Sequence, residues 1–198
     1  QGTLVADHFD DVYFSNDSGY EETLYVFLQQ NGLPQQWQEK RTRAFVIGET
    51  GFGTGLNFLV TWNEFLTHAH KDNRLHFISI EKFPLTTQQI QQALCSWPQL
   101  NPLIAQLLGQ YDPSLSGCQR FEFEHGRITL DLWFEDLHQA LPQMHAVEGG
   151  LMDAWYLDGF APSKNPDMWT DELFSQLPLL SKPGATLATF TAAGIVKR

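Results

Sequence analysis

The chain has 198 residues and a formal net charge of −11, with 12 basic against 23 acidic side chains. This length suits one α/β domain and excludes two large ones. The acidic balance argues against a general nucleic-acid binder, because such proteins need a basic surface to neutralise phosphates. An RNA substrate would have to be held by a local patch or by a part of the protein outside this sequence.

No stretch approaches the roughly 20 apolar residues of a membrane helix, so we expect no membrane partner. Residues 1–10 lack the basic and apolar regions of a secretory signal. Cys95 and Cys118 form no CxxC pair and no histidine cluster accompanies them, which predicts reduced thiols, no metal site and a cytoplasmic location. The sequence does not begin with Met and stops abruptly at residues 196–198, so we interpret it as part of a longer protein.

The predicted elements begin with an N-terminal segment, residues 1–42, which we expect to pack on the core of the domain. Residues 15–19 are polar and form a turn and helix-cap signal. Residues 21–28 then place apolar side chains at helical spacing, with two acids in the first turn. This pattern predicts a helix that precedes the first strand of the main sheet.

From residue 43 to residue 198, short apolar runs alternate with helical patterns. We predict strands over 44–47, 75–80, 121–123, 128–134, 154–157 and 185–190. We predict helices over 56–66 and 173–180, the second stopped by residues 182–184, and a helical insertion around 84–118. The two runs within 121–134 form either a hairpin or two successive strands. The alternation predicts an α/β fold with a parallel sheet and right-handed crossovers.

Four acids follow predicted strands: Glu49, Glu81, Asp136 and Asp158. In an open parallel sheet, ligands bind outside the carboxyl ends of the strands. We therefore expect these carboxylates to meet at one edge of the sheet and to line a ligand site.

A glycine-rich loop, ETGFGTG at residues 49–55, joins a predicted strand to a predicted helix. Its glycines permit a tight turn and let a ligand approach the backbone closely. The dinucleotide fingerprint fails, because the sixth position counted from Gly51 is Leu56, and the Gly-Lys-Ser/Thr of a phosphate-binding loop is absent. The spacing E-x-G-x-G-x-G is instead that of Rossmann-like methyltransferases, whose donor S-adenosylmethionine is cationic and carries no phosphate. The alternative is a turn that serves chain reversal alone.

The acids suit different parts of that donor. Glu49 suits the positive methionyl end, directly or through water. Glu81 can accept hydrogen bonds from both ribose hydroxyls, as the acid does at the equivalent place in nucleotide-binding folds; the alternative is a solvated acid paired with Lys82. Asp136 suits the adenine amino group, or it caps the helix that begins at Leu137, or it does both.

Five separated segments carry a resemblance to a known family: DVYFSNDSG at 11–19, GETGFGTGLNF at 48–58, EKFPL at 81–85, LDGFAPSKNP at 157–166 and TFTAAG at 189–194. In this order, over essentially the whole chain, they resemble the methyltransferase domain of the bifunctional proteins of tRNA 5-methylaminomethyl-2-thiouridine biosynthesis. The resemblance implies a Rossmann-like class I S-adenosylmethionine-dependent methyltransferase, with the terminal strands of that fold truncated here.

The implied activity is methyl transfer from S-adenosylmethionine to the aminomethyl nitrogen of 5-aminomethyl-2-thiouridine at the tRNA wobble position. The implied partners are hypomodified tRNA and a covalently linked oxidoreductase domain. That C-terminal domain would bind FAD and is not present in this chain. We expect a monomer. Lys164, Lys182, Lys197 and Arg198 are candidates for phosphate contacts.

The resemblance also implies site residues. Those expected to bind the cofactor are Gly48, Glu49, Gly51, Gly53, Gly55, Asn57, Glu81, Lys82, Asp136 and Asp158. Those expected to close over the substrate or the cofactor are Asn16, Asp17, Ser18, Glu22 and Pro162, with a helix cap as the alternative for residues 15–18.

Two residues are expected to be catalytic. Asp158 can accept a hydrogen bond from the amine, orient it and assist its deprotonation, or it can cap the loop before Pro162. Phe160 can stack on the uracil ring or face the cation, or it can be a packing residue.

Three other hypotheses stay open at this stage. One is a nicotinamide-dependent dehydrogenase on the same kind of sheet, against which the missing glycine argues. Another is a non-catalytic Rossmann-like binding module. The last is an S-adenosylmethionine-dependent N-methyltransferase that acts on a small amine or a protein.

Overall fold

A six-stranded sheet is the centre of the computed structural model, which describes residues 5–6, 11–12, 19–40, 44–144, 148–158 and 170–189. Its strands are β3 (Phe45–Glu49), β4 (Leu75–Ile80), β5 (Gly117–Phe123), β6 (Ile128–Phe134), β7 (Met152–Leu157) and β8 (Ser181–Thr189). They lie in the order β5-β6-β4-β3-β7-β8. Only β5 pairs antiparallel with its neighbour. Two short strands, β1 (Val5–Ala6) and β2 (Asp11–Val12), form a separate antiparallel pair.

Helices connect the strands. They are α1 (Gly19–Thr23), α2 (Gln35–Glu39), α3 (Leu56–His68), α4 (Thr87–Leu94), α5 (Asn101–Leu108), α6 (Leu137–Ala140) and α7 (Asp171–Leu180). A π-helix, Leu24–Leu28, and a 3₁₀ turn, Gln29–Asn31, continue α1. Three further 3₁₀ turns cover Pro98–Leu100, Glu124–Gly126 and Leu141–Met144. Local sequence fixes several starts: Thr86 and Gln89 form a capping box at α4, and Asp136 and Thr170 accept from backbone N–H groups at α6 and α7.

Helices cover both faces of the sheet, because successive strand residues point to opposite sides. On one face, α3, α4 and α5 pack on alternate residues of β3, β4, β5 and β6. Aromatic rings dominate this layer, with Phe58 centred 5.2 Å from Phe77 and Trp62 centred 4.5 Å from Phe123. On the other face, α6 and α7 pack on β3, β4 and β7 through residues such as Ile78.

The order of the strands reverses at β3. The chain passes from β3 to β4 and β6 on one side, then returns to place β7 on the other side of β3. At such a switch point the loops leave in opposite directions and open a crevice beyond the strand ends. In this class of fold such a crevice, beyond the carboxyl ends of β3 and β7, is the expected place of a ligand.

The predicted α/β class with a mainly parallel sheet is confirmed, and residues 121–134 form the hairpin alternative as β5 and β6. The predicted start of the last strand at residue 185 is wrong, although the helix before it ends at residue 180 as predicted. Helix α7 ends at Leu180, and β8 begins at Ser181 and includes Pro183. A proline is tolerated there because β8 lies at the edge of the sheet in the described part of the chain, where an N–H is not required.

The described part of the N-terminal segment packs on the sheet. The ring of Phe27 lies 5.1 Å from that of Tyr156 on β7. Trp37 is fully buried and contacts Phe45 and Phe65 edge-on. The division of the chain at residues 42 and 43 stays a prediction, as does the interpretation of residues 84–118, which contain α4 and α5, as an insertion.

Gly48 is required by packing. A Cβ atom at this position in β3 would lie 2.6 Å from Cζ3 of Trp155 and 2.9 Å from Sδ of Met152. We expect Gly48→Ala to lower the free energy of unfolding by about 1–3 kcal/mol, because the indole ring must shift in a close-packed layer. Urea unfolding checks this, with the exposed Gln91→Ala in α4 as the control. Equal stability of the two variants would contradict the packing argument.

Candidate active site

Four acids mark the carboxyl edge of the sheet, as the sequence predicts. Glu49 is the last residue of β3, Glu81 and Asp158 directly follow β4 and β7, and Asp136 lies two residues beyond the end of β6. Since β3 and β7 flank the switch point, Glu49 and Asp158 lie on either side of the crevice.

The glycine-rich loop crosses the ends of the neighbouring strands. The Thr50 N–H donates to the carbonyl of Tyr156 on β7, and the Phe52 N–H donates to that of Ile80 on β4. Gly53 and Gly55 have φ angles of 55° and 82°, which favour glycine. Gly55 is also the residue before α3, so the loop leads directly into that helix.

Glu81 holds the glycine loop through backbone N–H groups. Its Oε2 accepts from the N–H of Gly53 at 2.8 Å, and its Oε1 accepts from the N–H of Phe83 at 3.0 Å. Each carboxylate oxygen can accept a second hydrogen bond, so both remain able to receive a hydroxyl. Burial raises the pKa of Glu81, while these two backbone donors lower it.

One amide joins the two acids of the crevice. Nδ2 of Asn57 donates to Oε2 of Glu49 at 3.1 Å and to Oδ2 of Asp158 at 2.9 Å. Oε1 of Glu49 accepts from the hydroxyl of Ser79 at 2.6 Å. The hydroxyl of Thr50 donates to the backbone carbonyl of Asp158 at 2.5 Å, which ties the loop after β7 to the loop after β3.

Glu49 is a buried acidic residue that is only 1% exposed to solvent. Burial raises its pKa well above the usual value, and the charges of Asp158 and Glu81 raise it further. Hydrogen bonds from Ser79 and Asn57 oppose this. No ion pair with a basic side chain stabilises Glu49 among the described residues. Such a site is suited to a ligand that brings its own positive charge.

Asp136 has the predicted role of a helix cap and also pairs with Lys82. Its Oδ1 accepts from the His138 N–H at 2.9 Å and caps α6, while its Oδ2 lies 3.0 Å from Nζ of Lys82. Burial alone would raise its pKa, but the hydrogen bonds from Lys82 and His138 lower it. The alternative in which Lys82 pairs with Glu81 is wrong, because Lys82 pairs with Asp136.

The structure brings together Glu49, Gly53, Asn57, Glu81 and Asp158. Gly48 lies inside β3 against Trp155, and a Cβ on Gly55 would lie 2.9 Å from the ring of Phe52. Both glycines therefore have packing reasons beside any role in binding. Gly51 belongs to the loop that leads from β3 to α3.

Several predicted residues lie outside the described residues: Asn16, Asp17, Ser18, Phe160, Pro162, Lys164, Lys197 and Arg198. Glu22 is described, in the first turn of α1, whose next residue Thr23 hydrogen-bonds to Asn57. The assignment of individual residues to cofactor, substrate or closure stays a prediction.

Sequence reasoning missed three buried hydroxyls: Thr23, Thr50 and Ser79. All three donate within the network of Glu49, Asn57 and Asp158. The sequence could have indicated Ser79, since it is a polar residue near the end of the mostly apolar strand β4. It could not have indicated Thr23, because its partner Asn57 lies 34 residues away in the sequence.

Within the described ranges, no group of three or more His, Cys, Asp or Glu side chains could hold a metal ion. None of the helices described here combines the length and apolar character of a membrane span. Cys95 and Cys118 are exposed and form no disulfide.

A doubly wound sheet with a glycine loop and acids at its switch point defines the class of Rossmann-like enzymes that bind a nucleoside-containing cofactor. Residues 98–198 match a family model described as S-adenosyl-L-methionine-dependent methyltransferase. The chain belongs to this family, as the sequence predicts. The fully buried Glu49 and the acids beside it fit the positive charge of that cofactor.

Relatives and a solved structure agree with this assignment. The chain is 56% identical over 200 residues to the tRNA 5-methylaminomethyl-2-thiouridine biosynthesis bifunctional protein MnmC of Aeromonas salmonicida, and 54% identical over 202 residues to that of Aliivibrio fischeri. It spans 30% of the length of these curated relatives. It is similar in fold to MnmC2 from Aquifex aeolicus, with a TM-score of 0.74 and 22% identity over 96% of this chain and 57% of that one.

The raised pKa of Glu49 predicts a pH dependence of cofactor binding. A cationic ligand favours the ionised carboxylate, so the affinity for S-adenosylmethionine should fall as pH falls below the raised pKa, by up to about tenfold per pH unit. Calorimetric titration between about pH 5.5 and about pH 8 measures it. Glu49→Gln should bind without this dependence, and uncharged 5′-methylthioadenosine should show none with either protein.

The same burial predicts an opposite trend in stability without ligand. The contribution of Glu49 to folding stability is fully present below the ordinary glutamate pKa. It is lost as pH rises through the raised pKa of Glu49, because the folded state must then hold a buried charge. The free energy of unfolding of wild type, relative to Glu49→Gln, should therefore decrease with pH. Parallel pH profiles for the two proteins would contradict the origin assigned to the shift.

Proposed function

We propose that this chain transfers a methyl group from S-adenosylmethionine to the aminomethyl nitrogen of 5-aminomethyl-2-thiouridine at the tRNA wobble position, the last step of 5-methylaminomethyl-2-thiouridine synthesis. The observation that carries the proposal is Asp158, held by Asn57 beside the switch point. The names of relatives that are 54–56% identical over the whole chain indicate the biosynthetic step.

Amine methylation needs a nitrogen with a free lone pair in line with the methyl group. An aminomethyl group is mostly protonated at neutral pH, so it must lose a proton before it reacts. Asp158 lies at the carboxyl end of β7, where Asn57 donates to its Oδ2, and in this proposal its carboxylate accepts a hydrogen bond from the amine and orients it. In this proposal Asp158 also takes the proton, or passes it to water.

Other residues bind the methyl donor in this proposal. Glu49 faces its positive methionyl end, and Glu81, held by the glycine loop, accepts from its ribose hydroxyls. Asp136 accepts a hydrogen bond from the adenine amino group. Its carboxylate can do so beside its contacts with Lys82 and His138, because each oxygen can accept two hydrogen bonds. In this proposal Phe160 stacks on the uracil ring, and Pro162 closes over the substrate or the cofactor. Residues 16–18 and Glu22 close over the site.

Four basic side chains of the described residues are engaged inside the domain. Lys82, Arg120 and Lys182 pair with Asp136, Asp131 and Asp153, and the Arg127 guanidinium donates to two backbone carbonyls. Lys182, expected to contact phosphate, is thus occupied by the buried Asp153. We propose that tRNA is bound largely by the rest of the longer protein, including an FAD-dependent oxidoreductase domain linked to this one, and that the protein is a cytoplasmic monomer.

The acidic balance of the chain favours a second candidate, N-methylation of a small amine. A net charge of −11 repels phosphates and attracts small cations. The two candidates share the cofactor site and the role of Asp158, and they differ in the substrate that must be present for turnover.

Asp158→Asn should lower the rate of methyl transfer by about 100-fold or more while S-adenosylmethionine still binds, because the amide cannot take the proton. The assay is methylation of hypomodified tRNA by the full-length protein, followed by nucleoside analysis. Asp171→Asn, at an exposed acid in α7, is the control. Full turnover by Asp158→Asn would remove Asp158 from catalysis. A wild-type protein that methylates only a small amine would replace the tRNA proposal with the second candidate.

Gly53→Val should weaken binding of S-adenosylmethionine roughly tenfold, since a β-branched residue disfavours a φ of 55° and distorts the N–H that Glu81 accepts. Calorimetry measures the affinity, and circular dichroism confirms that the variant is folded. An affinity equal to that of wild type would argue that the loop serves chain reversal alone.

A further inference from the structure

Thr23 is a buried hydroxyl that no part of the proposed chemistry uses directly. It is the last residue of α1, with a side chain that is 2% exposed. Its Oγ1 lies 2.8 Å from Oδ1 of Asn57 and 3.1 Å from the carbonyl of Gly19. A hydroxyl has a single hydrogen, and the shorter contact is the one to the side chain of Asn57.

The contact supports the orientation of the Asn57 amide from the side opposite the two acids. Ionised Glu49 and Asp158 only accept hydrogen bonds, so the amide must present its two N–H groups to them and its oxygen to the opposite side. On that opposite side the amide oxygen accepts from Thr23. A rotation of the amide by half a turn would set its oxygen against two carboxylates and would leave the Thr23 hydroxyl without this acceptor.

The backbone around Thr23 also departs from an ordinary helix. The π-helix Leu24–Leu28 begins directly after it and carries Phe27 onto the ring of Tyr156. Short π segments inside helices are rare and occur frequently at functional sites. Thr23 is thus fixed between a helix that packs on the sheet and the amide that joins the two acids.

We propose that Thr23 is a positioning residue for the methyl transfer proposed above: through Asn57 it keeps Asp158 in the orientation that receives the amine, and it contacts neither substrate. The inference rests on the proposed role of Asp158. It assigns to α1 a part in the reaction that is distinct from closing over the site.

A purely structural role for Thr23 would be a hydrogen bond to the backbone carbonyl one helical turn earlier, as threonines in helices can make. Such a threonine would affect stability alone. The chain offers a matched control in Thr61, which is also fully buried and donates to the carbonyl of Asn57 at 2.6 Å while contacting the Tyr156 hydroxyl at 2.9 Å. Thr61 touches the backbone of Asn57 and leaves its side-chain amide alone.

The experiment compares Thr23→Val with Thr61→Val in the full-length protein. Both changes replace a hydroxyl by a methyl group of similar size and should lower the thermal stability by comparable amounts. Thr23→Val should also lower kcat about tenfold with little change in KM for tRNA. Thr23→Ser, which retains the hydroxyl, should restore kcat to within about twofold.

A second readout does not depend on turnover. Asn57 is one of two hydrogen-bond donors that lower the pKa of Glu49. The ionisable groups that interact with Glu49 are Asp158, Glu81 and Tyr156 on or after the neighbouring strands. If Thr23→Val loosens the amide, Glu49 is harder to ionise, and the pH dependence of S-adenosylmethionine affinity should move to higher pH. Thr61→Val and Thr23→Ser should leave that dependence where it is in wild type.

The outcomes separate this inference from the function on which it rests. Equal kcat and equal pH profiles of binding for Thr23→Val and Thr61→Val would overturn it. If wild type binds S-adenosylmethionine but methylates no tRNA, the proposed substrate fails. Even then, a shift in the pH dependence of S-adenosylmethionine affinity in Thr23→Val alone would support the positioning of the acids by Thr23. An unchanged pH dependence in Thr23→Val would contradict the inference.

Discussion

The reversal of strand order at β3 is the constraint on which the site depends. Because β4 and β7 pair with opposite sides of β3, Glu49 at the end of β3 and Asp158 after β7 meet where the strand order reverses. A single amide, that of Asn57, then spans the two carboxylates. Since Asn57 lies at the start of α3, the glycine loop sets its position as well as leaving space for a ligand.

The electrostatics of the site follow from this arrangement. Desolvation of Glu49 is offset by two neutral donors, Ser79 and Asn57, and by no basic side chain of the described chain. Lys82, which follows Glu81 in the sequence, pairs with Asp136. The free protein therefore keeps an environment that disfavours negative charge on Glu49, and a sulfonium or an ammonium supplies what is missing.

Much of this could be predicted from the sequence, and the remainder had physical reasons to be hidden. The acids at strand ends and the glycine loop are local patterns, so the sequence predicts the position of Glu49, Glu81 and Asp158 at the carboxyl edge. Side-chain partners across the fold are not local: the choice of Asp136 by Lys82, and the bond from Thr23 to Asn57, depend on how elements pack. The early start of β8 was missed because Pro183 ordinarily breaks a strand and is tolerated at an edge.

The distance along the chain between the members of the site has a consequence for biosynthesis. Asn57 and Asp158 are 101 residues apart, and they meet only when β7 pairs with β3. A nascent chain can form β3, α3 and β4 early, but it cannot assemble the crevice until β7 has left the ribosome. Glu49 therefore has no Asp158 beside it during part of synthesis. Because the cofactor binds the completed site, its binding stabilises the state in which β7 is paired with β3.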